Sequence, residues 1–192
     1  MAEGRRARRP PLLPLAIIVA FVAVAVLAGV ASPADPYAQH LRSRLAPPIW
    51  SPDGSWQHPL GTDRLGRDLL SRLFYGARVS LAAGVVTVAL AGAVGGGVGL
   101  VAGYLRGRTG ALLMRVTDAT LAFPIILLAL VLAVTLGPSF SNVVVAIAVI
   151  LWARYARVIY GEVVALMERD FIAQARALGA SPVRIIAFHL FP

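Results

Sequence analysis

The feature that most constrains this chain is a series of apolar runs long enough to cross a membrane. The first covers 12–32 and the second 79–105, and neither contains a charged residue. A helix rises about 1.5 Å per residue, so roughly 20 apolar residues cross the hydrocarbon core of a bilayer. Further apolar runs cover 119–136 and 140–160, the last passing Arg154 and Arg157 as it leaves the bilayer. We therefore predict an all-α, polytopic transmembrane helical bundle with four spans.

Composition agrees with a membrane protein. Hydrophobic residues make up 58% of the chain and charged residues only 14%, against about a quarter in soluble domains. The net charge is +9, and all 18 cationic residues are Arg. No Arg-rich stretch is interleaved with aromatic residues, so we assign the positive charge to anionic lipid headgroups and not to nucleic acid. Without Lys the chain has no Walker-type phosphate loop, and without Cys it has no disulfide.

The distribution of Arg predicts the orientation. The basic N-terminus 1–11 carries four Arg, the 105–117 loop three and the 154–192 tail five. Alternating spans place these segments on one side, which the positive-inside rule makes cytoplasmic. A signal peptide is the alternative for 12–32, but its apolar core is usually only about 7–15 residues. We favour an uncleaved first span with a cytoplasmic N-terminus.

The segment 33–78 is predicted to be an external loop, although it also carries six Arg. Proline interrupts helix formation repeatedly within it. The proline residues concerned are Pro33, Pro36, Pro47, Pro48, Pro52 and Pro59. Towards its end, apolar residues recur at helical spacing opposite Arg67, Asp68 and Arg72. This pattern predicts an amphipathic helix lying in the membrane interface.

Small residues and one proline mark the spans. Gly95, Gly99 and Gly103 stand four residues apart on one face of the second span, which predicts close approach of another helix. Pro124 falls in the first turns of the third span, where a proline is either tolerated or kinks the helix.

The tail 161–192 reads as two short amphipathic helices joined by a Gly-Ala-Ser-Pro turn. Gly179 suits the left-handed position after a helix, Ser181 can cap the next helix, and Pro182 suits its first position. One side of the second helix is expected to be apolar, with Arg184 and His189 as polar handles. The residues of that side are Val183, Ile186, Ala187 and Leu190. The pattern alone fits either an interfacial helix or an elbow that docks into a soluble partner.

The sequence contains few features that would indicate an enzyme. His40, His58 and His189 show no metal-ligand spacing, and no Gly-x-Ser-x-Gly motif occurs. The centres of the first three spans lack charged residues, which argues against proton-driven transport. We expect no catalytic residue, metal site or cofactor in this chain.

The tail resembles the cytoplasmic "EAA" loop of ABC importer permeases. The triplet positions are Ala173, Gln174 and Ala175, with Ala173 where the family has Glu, and Gly179 follows four positions on. The string over 61–81 resembles the signature of the second permease subunit of dipeptide, oligopeptide and nickel importers. The string over 118–124 is similar to the third span of that family.

The resemblance implies a type I ABC importer permease fold with six spans, of which this chain would hold about four, as a truncated subunit. It implies a multi-pass protein of the prokaryotic cytoplasmic (inner) membrane. The implied partners are a homologous permease subunit, two ABC ATPase subunits that bind ATP and Mg, an external solute-binding protein and the lipid bilayer. The implied ATPase-docking residues are Ala173, Gln174, Ala175, Ala177, Leu178, Gly179, Ala180, Ser181, Pro182 and Arg184.

On this basis we expect a non-enzymatic permease subunit of an ATP-driven, binding-protein-dependent importer of di- or oligopeptides. Three alternatives stay open from the sequence. The chain could be a non-transporting membrane scaffold or anchor, an importer of a nickel chelate, or a membrane-embedded enzyme.

Overall fold

The computed structural model describes residues 12–190, and those residues form seven α-helices. The helices are α1 (Leu12–Ala31), α2 (Leu69–Leu105), α3 (Gly107–Ala122), α4 (Ile125–Leu136), α5 (Phe140–Met167), α6 (Asp170–Ala177) and α7 (Pro182–Ile185). A 3-10 turn covers Leu41–Ser43, and a π-helical turn covers Ile186–Leu190. The predicted all-α fold is confirmed. The basic segment 1–11 and the last two residues lie outside the described part of the chain.

By length and apolar composition, three of the described helices can cross a membrane, namely α1, α2 and α5. Helices α3 and α4 make a fourth candidate only as a pair, because they are bent by 88° at their junction. The predicted third span over 119–136 is therefore broken. Phe123 and Pro124 are both extended at the junction, since a proline disfavours helical backbone in the residue before it.

The segment 105–117, which we predicted to be a short basic loop, is mostly helical. Helix α3 starts at Gly107, so only Arg106 separates it from α2. Charge marks where a helix leaves hydrocarbon, but it does not end the helix. The three Arg of this segment were therefore a poor indicator of a loop.

The chain divides into two compact units between Ala82 and Ala83. In the first unit, α2 begins at Leu69 and continues past residue 78 without a break. The predicted interfacial helix is therefore the first turns of α2. Asp68 defines the start, because its Oδ2 accepts a hydrogen bond of 2.7 Å from the backbone N–H of Ser71. Gly76 lies in the interior of α2 and does not interrupt it. The amphipathic first turns and the apolar turns therefore form one continuous helix.

Asp63 organises the turn that precedes α2. Its Oδ1 accepts hydrogen bonds from the backbone N–H groups of Leu65 (2.8 Å) and Arg67 (3.0 Å). Its Oδ2 pairs with the side chains of Arg67 and Arg72. Desolvation raises the pKa of Asp63, but the backbone N–H groups of Arg67 and Leu65 and the Arg67 side chain outweigh it and lower the pKa to about 2. The first part of the string over 61–81 is therefore a folded turn, and the rest forms the start of α2.

A buried polar cluster ties this turn to the rest of the loop. The backbone N–H of Ala46 donates to the Thr62 hydroxyl at 2.9 Å, and Thr62 in turn donates to the carbonyl of Ser43. Asp68, only 2% exposed, also contacts His58 through Oδ1 and Nδ1 at 3.1 Å. Buried polar groups need such partners. These hydrogen bonds therefore give the 33–68 loop a defined conformation.

In the second unit, the glycine face of α2 packs directly against α5. A Cβ atom on Gly99 would lie 2.5 Å from the carbonyl oxygen of Ala156, and one on Gly103 would lie 2.7 Å from the Val163 side chain. A Cβ atom on Gly95 would meet the carbonyl of Trp152. Only glycine permits this separation of the two helices.

Helix α3 folds back onto the same region. Met114 is buried together with Ala102 of α2 and Ala156 of α5. Gly110 permits the approach, because a Cβ atom there would lie 2.5 Å from the carbonyl of Ala102. The second unit therefore has α2, α3 and α5 at its centre, and α4 has no buried residue.

Candidate functional site

The tail forms an elbow, which we define as residues 170–190. Gly179 has φ of +80°, the left-handed conformation predicted for the end of α6. Its N–H donates to the carbonyl of Arg176 at 2.9 Å, and the N–H of Ala180 donates to that of Ala175 at 3.0 Å. These two bonds define a Schellman motif, which satisfies carbonyls that the end of α6 would otherwise leave free.

The second arm of the elbow starts two residues later. The Ser181 hydroxyl accepts a hydrogen bond of 3.3 Å from the N–H of Arg184, and Pro182 occupies the first turn of α7. Both features follow the predicted cap. Since both helix ends at the turn are capped, the angle between α6 and α7 is set by hydrogen bonds.

The base of the elbow is anchored in an apolar cluster at the ends of α2 and α5. Ile172 and Ile185 are 0% and 1% exposed and lie in one cluster with Val163 and Met167. Leu100 and Tyr104 of α2 pack against that cluster. The elbow is therefore attached to the two helices that carry the glycine contact.

The predicted apolar side of the second arm is partly wrong. Leu190 is buried and Ile186 half-buried, as predicted, but Val183 and Ala187 are exposed. Ile185, which lies outside the predicted set, is buried. The arm widens into the π-helical turn Ile186–Leu190. Residues five apart then share a side, so the ordinary α-helical spacing misplaced the buried set.

The tip of the elbow, which we define as residues 173–184, carries all ten predicted docking residues. Ala175 and Ala180 are half-buried. The others are exposed, namely Ala173, Gln174, Ala177, Leu178, Gly179, Ser181, Pro182 and Arg184. Leu178 and Val183 are 88% and 75% exposed. The structure thus presents large apolar side chains on both sides of a fixed turn. Such an arrangement is suited to contact with the surface of another protein.

Ion pairs that sequence reasoning missed lie behind the elbow. Arg106, between α2 and α3, pairs with Glu168 at 2.7 Å and donates to the carbonyl of Val164 at 3.2 Å. Arg157 of α5 pairs with Asp118 of α3. The partners are distant in sequence, so no local pattern could have predicted them.

The described residues contain no group of three or more His, Cys, Asp or Glu side chains arranged to hold a metal ion. An apolar groove of about 430 Å³ runs between α2 and α5, with Leu90, Val98 and Trp152 in its walls. Its walls offer few polar partners, so it is an apolar surface of the helix pair.

The fold and the elbow together define a class, that of polytopic helical membrane proteins in which a capped, partly exposed elbow follows a long apolar helix. The model of the family described as binding-protein-dependent transport system inner membrane component matches residues 95–192. This match covers the glycine face, α3 to α5 and the whole elbow. The chain belongs to this family, as the resemblance implied, and is an inner membrane component.

Proteins named as peptide permeases are similar over most of the chain. The dipeptide transport system permease protein DppC of Escherichia coli (strain K12) is 40% identical over 178 residues, which cover 93% of this chain and 59% of that protein. DppC of Haemophilus influenzae is 35% identical over 184 residues, covering 96% and 62%. A putative peptide transport system permease protein of Brucella suis is 39% identical over 185 residues, covering 96% and 60%. The chain thus spans about 60% of the length of these relatives.

Proposed function

We propose that this chain is a permease subunit of an ATP-driven, binding-protein-dependent importer that moves di- or oligopeptides across the cytoplasmic membrane. In this proposal it pairs with a homologous permease subunit and receives peptide from an external solute-binding protein. Two ATPase subunits bind ATP and Mg and dock on the elbow. The chain itself supplies membrane helices and a docking surface, and no catalytic residue.

The observation that carries the proposal is the division of the elbow into a buried base and an exposed tip. The base, through Ile172 and Ile185, is fixed to α2 and α5. The tip leaves Leu178 and Val183 open to a partner. The turn at the centre of the tip is capped on both sides. A displacement of the tip therefore moves the base with it. Such a part can transmit nucleotide-driven movement to membrane helices.

The choice of peptide as the substrate rests on the relatives. Their printed names describe dipeptide or peptide transport. Uptake of a labelled dipeptide and of a nickel chelate, measured in proteoliposomes holding all subunits, tests this choice. Nickel uptake without dipeptide uptake would reverse the assignment of substrate.

Site-directed crosslinking tests the docking role. The chain has no Cys, so single cysteines at Leu178 and Val183 give unambiguous attachment points. Trp56, 83% exposed in the 33–68 loop, provides a control position. We expect the ATPase to be captured from Leu178→Cys and Val183→Cys, but not from Trp56→Cys. If the elbow positions capture only lipid, and no ATPase co-purifies with the native chain, the scaffold alternative is favoured.

A further inference from the structure

Arg106 occupies a corner where three helix ends meet. Its N–H donates to the carbonyl of Ala102, at the end of α2, at 3.1 Å. Its own carbonyl accepts from the N–H of Gly110, in the first turns of α3, at 3.0 Å. Its guanidinium reaches the last turn of α5, where it contacts Val164 and Glu168. One residue thus bonds to α2, α3 and α5.

The backbone of Arg106 is unusual for a residue with a side chain. Its φ is +50°, in a region that glycine occupies far more readily. Gly107 beside it also has a positive φ, so the corner already uses glycine once. An arginine in such a conformation is held there by its surroundings, which here include the backbone bonds to α2 and α3 as well as the contacts of its guanidinium.

The contacts suit a cation at this place. The last turn of α5 ends in carbonyl groups that carry partial negative charge, and the Glu168 carboxylate adds a full one. Arg106 uses different guanidinium nitrogens for Glu168 (Nη1) and for Val164 (Nη2). A lysine could not make both contacts in the same geometry.

The position of Glu168 gives these contacts a consequence. Glu168 is the last-turn cap of α5, and α6 begins at Asp170. Arg106 therefore holds the point from which the elbow leaves α5. The side chains of Arg106 and Glu168 are 43% and 70% exposed, and exposed pairs of this kind contribute little to folding stability. A role in positioning can therefore be separated from a role in stability.

We propose that Arg106 is a positioning residue that couples the elbow to the corner between α2 and α3, by binding the end of α5 from which the elbow starts. Its effect on transport rests on the proposed function, whereas its effect on the geometry of the elbow does not.

The first measurement addresses the geometry, in the full chain in detergent. Spin labels on cysteines at Thr109 of α3 and Ala173 of α6, both exposed, report the spread of the distance between corner and elbow. We expect a broader distribution in Arg106→Gln, an intermediate one in Arg106→Lys and an unchanged one in Arg108→Gln. Arg108 is an exposed arginine of the same corner and makes the control change equal in charge. An unchanged distribution in Arg106→Gln would overturn the proposal.

The second measurement addresses transport, in the complete complex. We expect Arg106→Gln to lower peptide uptake per ATP hydrolysed by a factor within the roughly 2- to 30-fold range that coupling mutations produce. Abundance of the assembled complex should not change, and Arg108→Gln should behave as the native chain. A native ratio in Arg106→Gln would refute coupling. Failure of the native complex to take up peptide with ATP would instead refute the proposed function, and the label distances would still decide the role of Arg106.

Discussion

At the scale of single residues, Gly179 shows how a backbone requirement can be read from sequence. Its φ of +80° is the conformation that a Schellman motif needs. A Cβ atom there would meet no heavy atom within 4 Å. The requirement is therefore one of backbone conformation, and the size of a replacement side chain matters less than its tolerance of the left-handed region.

The left-handed backbone of Gly179 can be tested by two substitutions that differ in their tolerance of it. Gly179→Trp should cost about 1–2 kcal/mol in the turn, because a side chain penalises left-handed backbone. It should thereby uncouple ATP hydrolysis from uptake. Gly179→Asn should retain most activity, since Asn tolerates this conformation best among the other residues. ATPase activity and uptake measured at equal abundance test the pair, and unchanged uptake in Gly179→Trp would contradict it.

A second residue-scale prediction concerns pH. The pKa of Asp63 is lowered from the ordinary value of 3.8 to about 2. A carboxyl whose pKa is lower in the folded state stabilises above its unfolded value, and that stabilisation is lost as pH falls through the folded value. The turn should therefore be protected at pH 4 and lose its protection towards pH 2.

Pepsin, which is active in this range, provides the measurement. Cleavage within 61–72 of the native chain should be slower than in Asp63→Asn at pH 4, and equal to it near pH 2. Asp53→Asn, an exposed change in the same loop, should match the native chain. Equal cleavage of the native chain and Asp63→Asn at pH 4 would show that the Asp63 contacts do not hold the turn.

At the scale of elements, the contact between α2 and α5 depends on one face of α2. Gly99→Leu should destabilise the pair by about 1–3 kcal/mol, the usual cost of overpacking, or separate the helices. Gly97→Leu makes the same change in the same helix, where a Cβ atom would meet no neighbour within 4 Å. Thermal unfolding in detergent compares the two variants. Equal midpoints would show that the glycine face does not set the helix separation.

The elbow allows its base and tip to be tested separately. Ile172→Ala should lower stability by about 2–5 kcal/mol through a buried cavity. Leu178→Ala should leave stability nearly unchanged and weaken capture of the ATPase, because Leu178 is 88% exposed. Unfolding midpoints and co-purified ATPase, measured on both variants, check this. If both variants lost the ATPase to the same extent and had the same stability, base and tip would not have separate roles.

The elements also show what sequence could and could not give. The first helix was predictable, with the length and apolar composition of a span, because an uncharged run leaves few alternatives. The elbow turn was predictable because Gly179, Ser181 and Pro182 each have a local backbone role. Helix α3 escapes prediction because its Arg residues indicate a loop in the sequence, although they lie on a helix. The buried side of the second arm is predicted only in part, because a π-helical turn changes the spacing and no residue type in that arm indicates such a turn.

At the scale of the whole molecule, the Arg distribution predicts sidedness, and the fold supplies positions to test it. A membrane-impermeant thiol reagent should label Trp56→Cys in spheroplasts. It should label Leu178→Cys only after permeabilisation, because the elbow is predicted to be cytoplasmic. Labelling of Leu178→Cys in intact spheroplasts would reverse the orientation.

The larger scale also explains why ion pairs escaped prediction. The pairs of Arg106 with Glu168 and of Arg157 with Asp118 join different helices. A one-dimensional pattern contains helix faces and caps, but not the register of one helix against another. That register follows from small residues such as Gly99 and Gly110, whose effect is visible only once the helices are packed.

The division of the elbow into a buried base and an exposed tip has an evolutionary consequence. Mutations at the tip can accumulate with little damage to folding, whereas the isoleucines beneath it are under constraint from the membrane helices. On the proposed docking role, the surface that recognises an ATPase subunit can therefore diverge in duplicated transporters while the membrane helices stay the same.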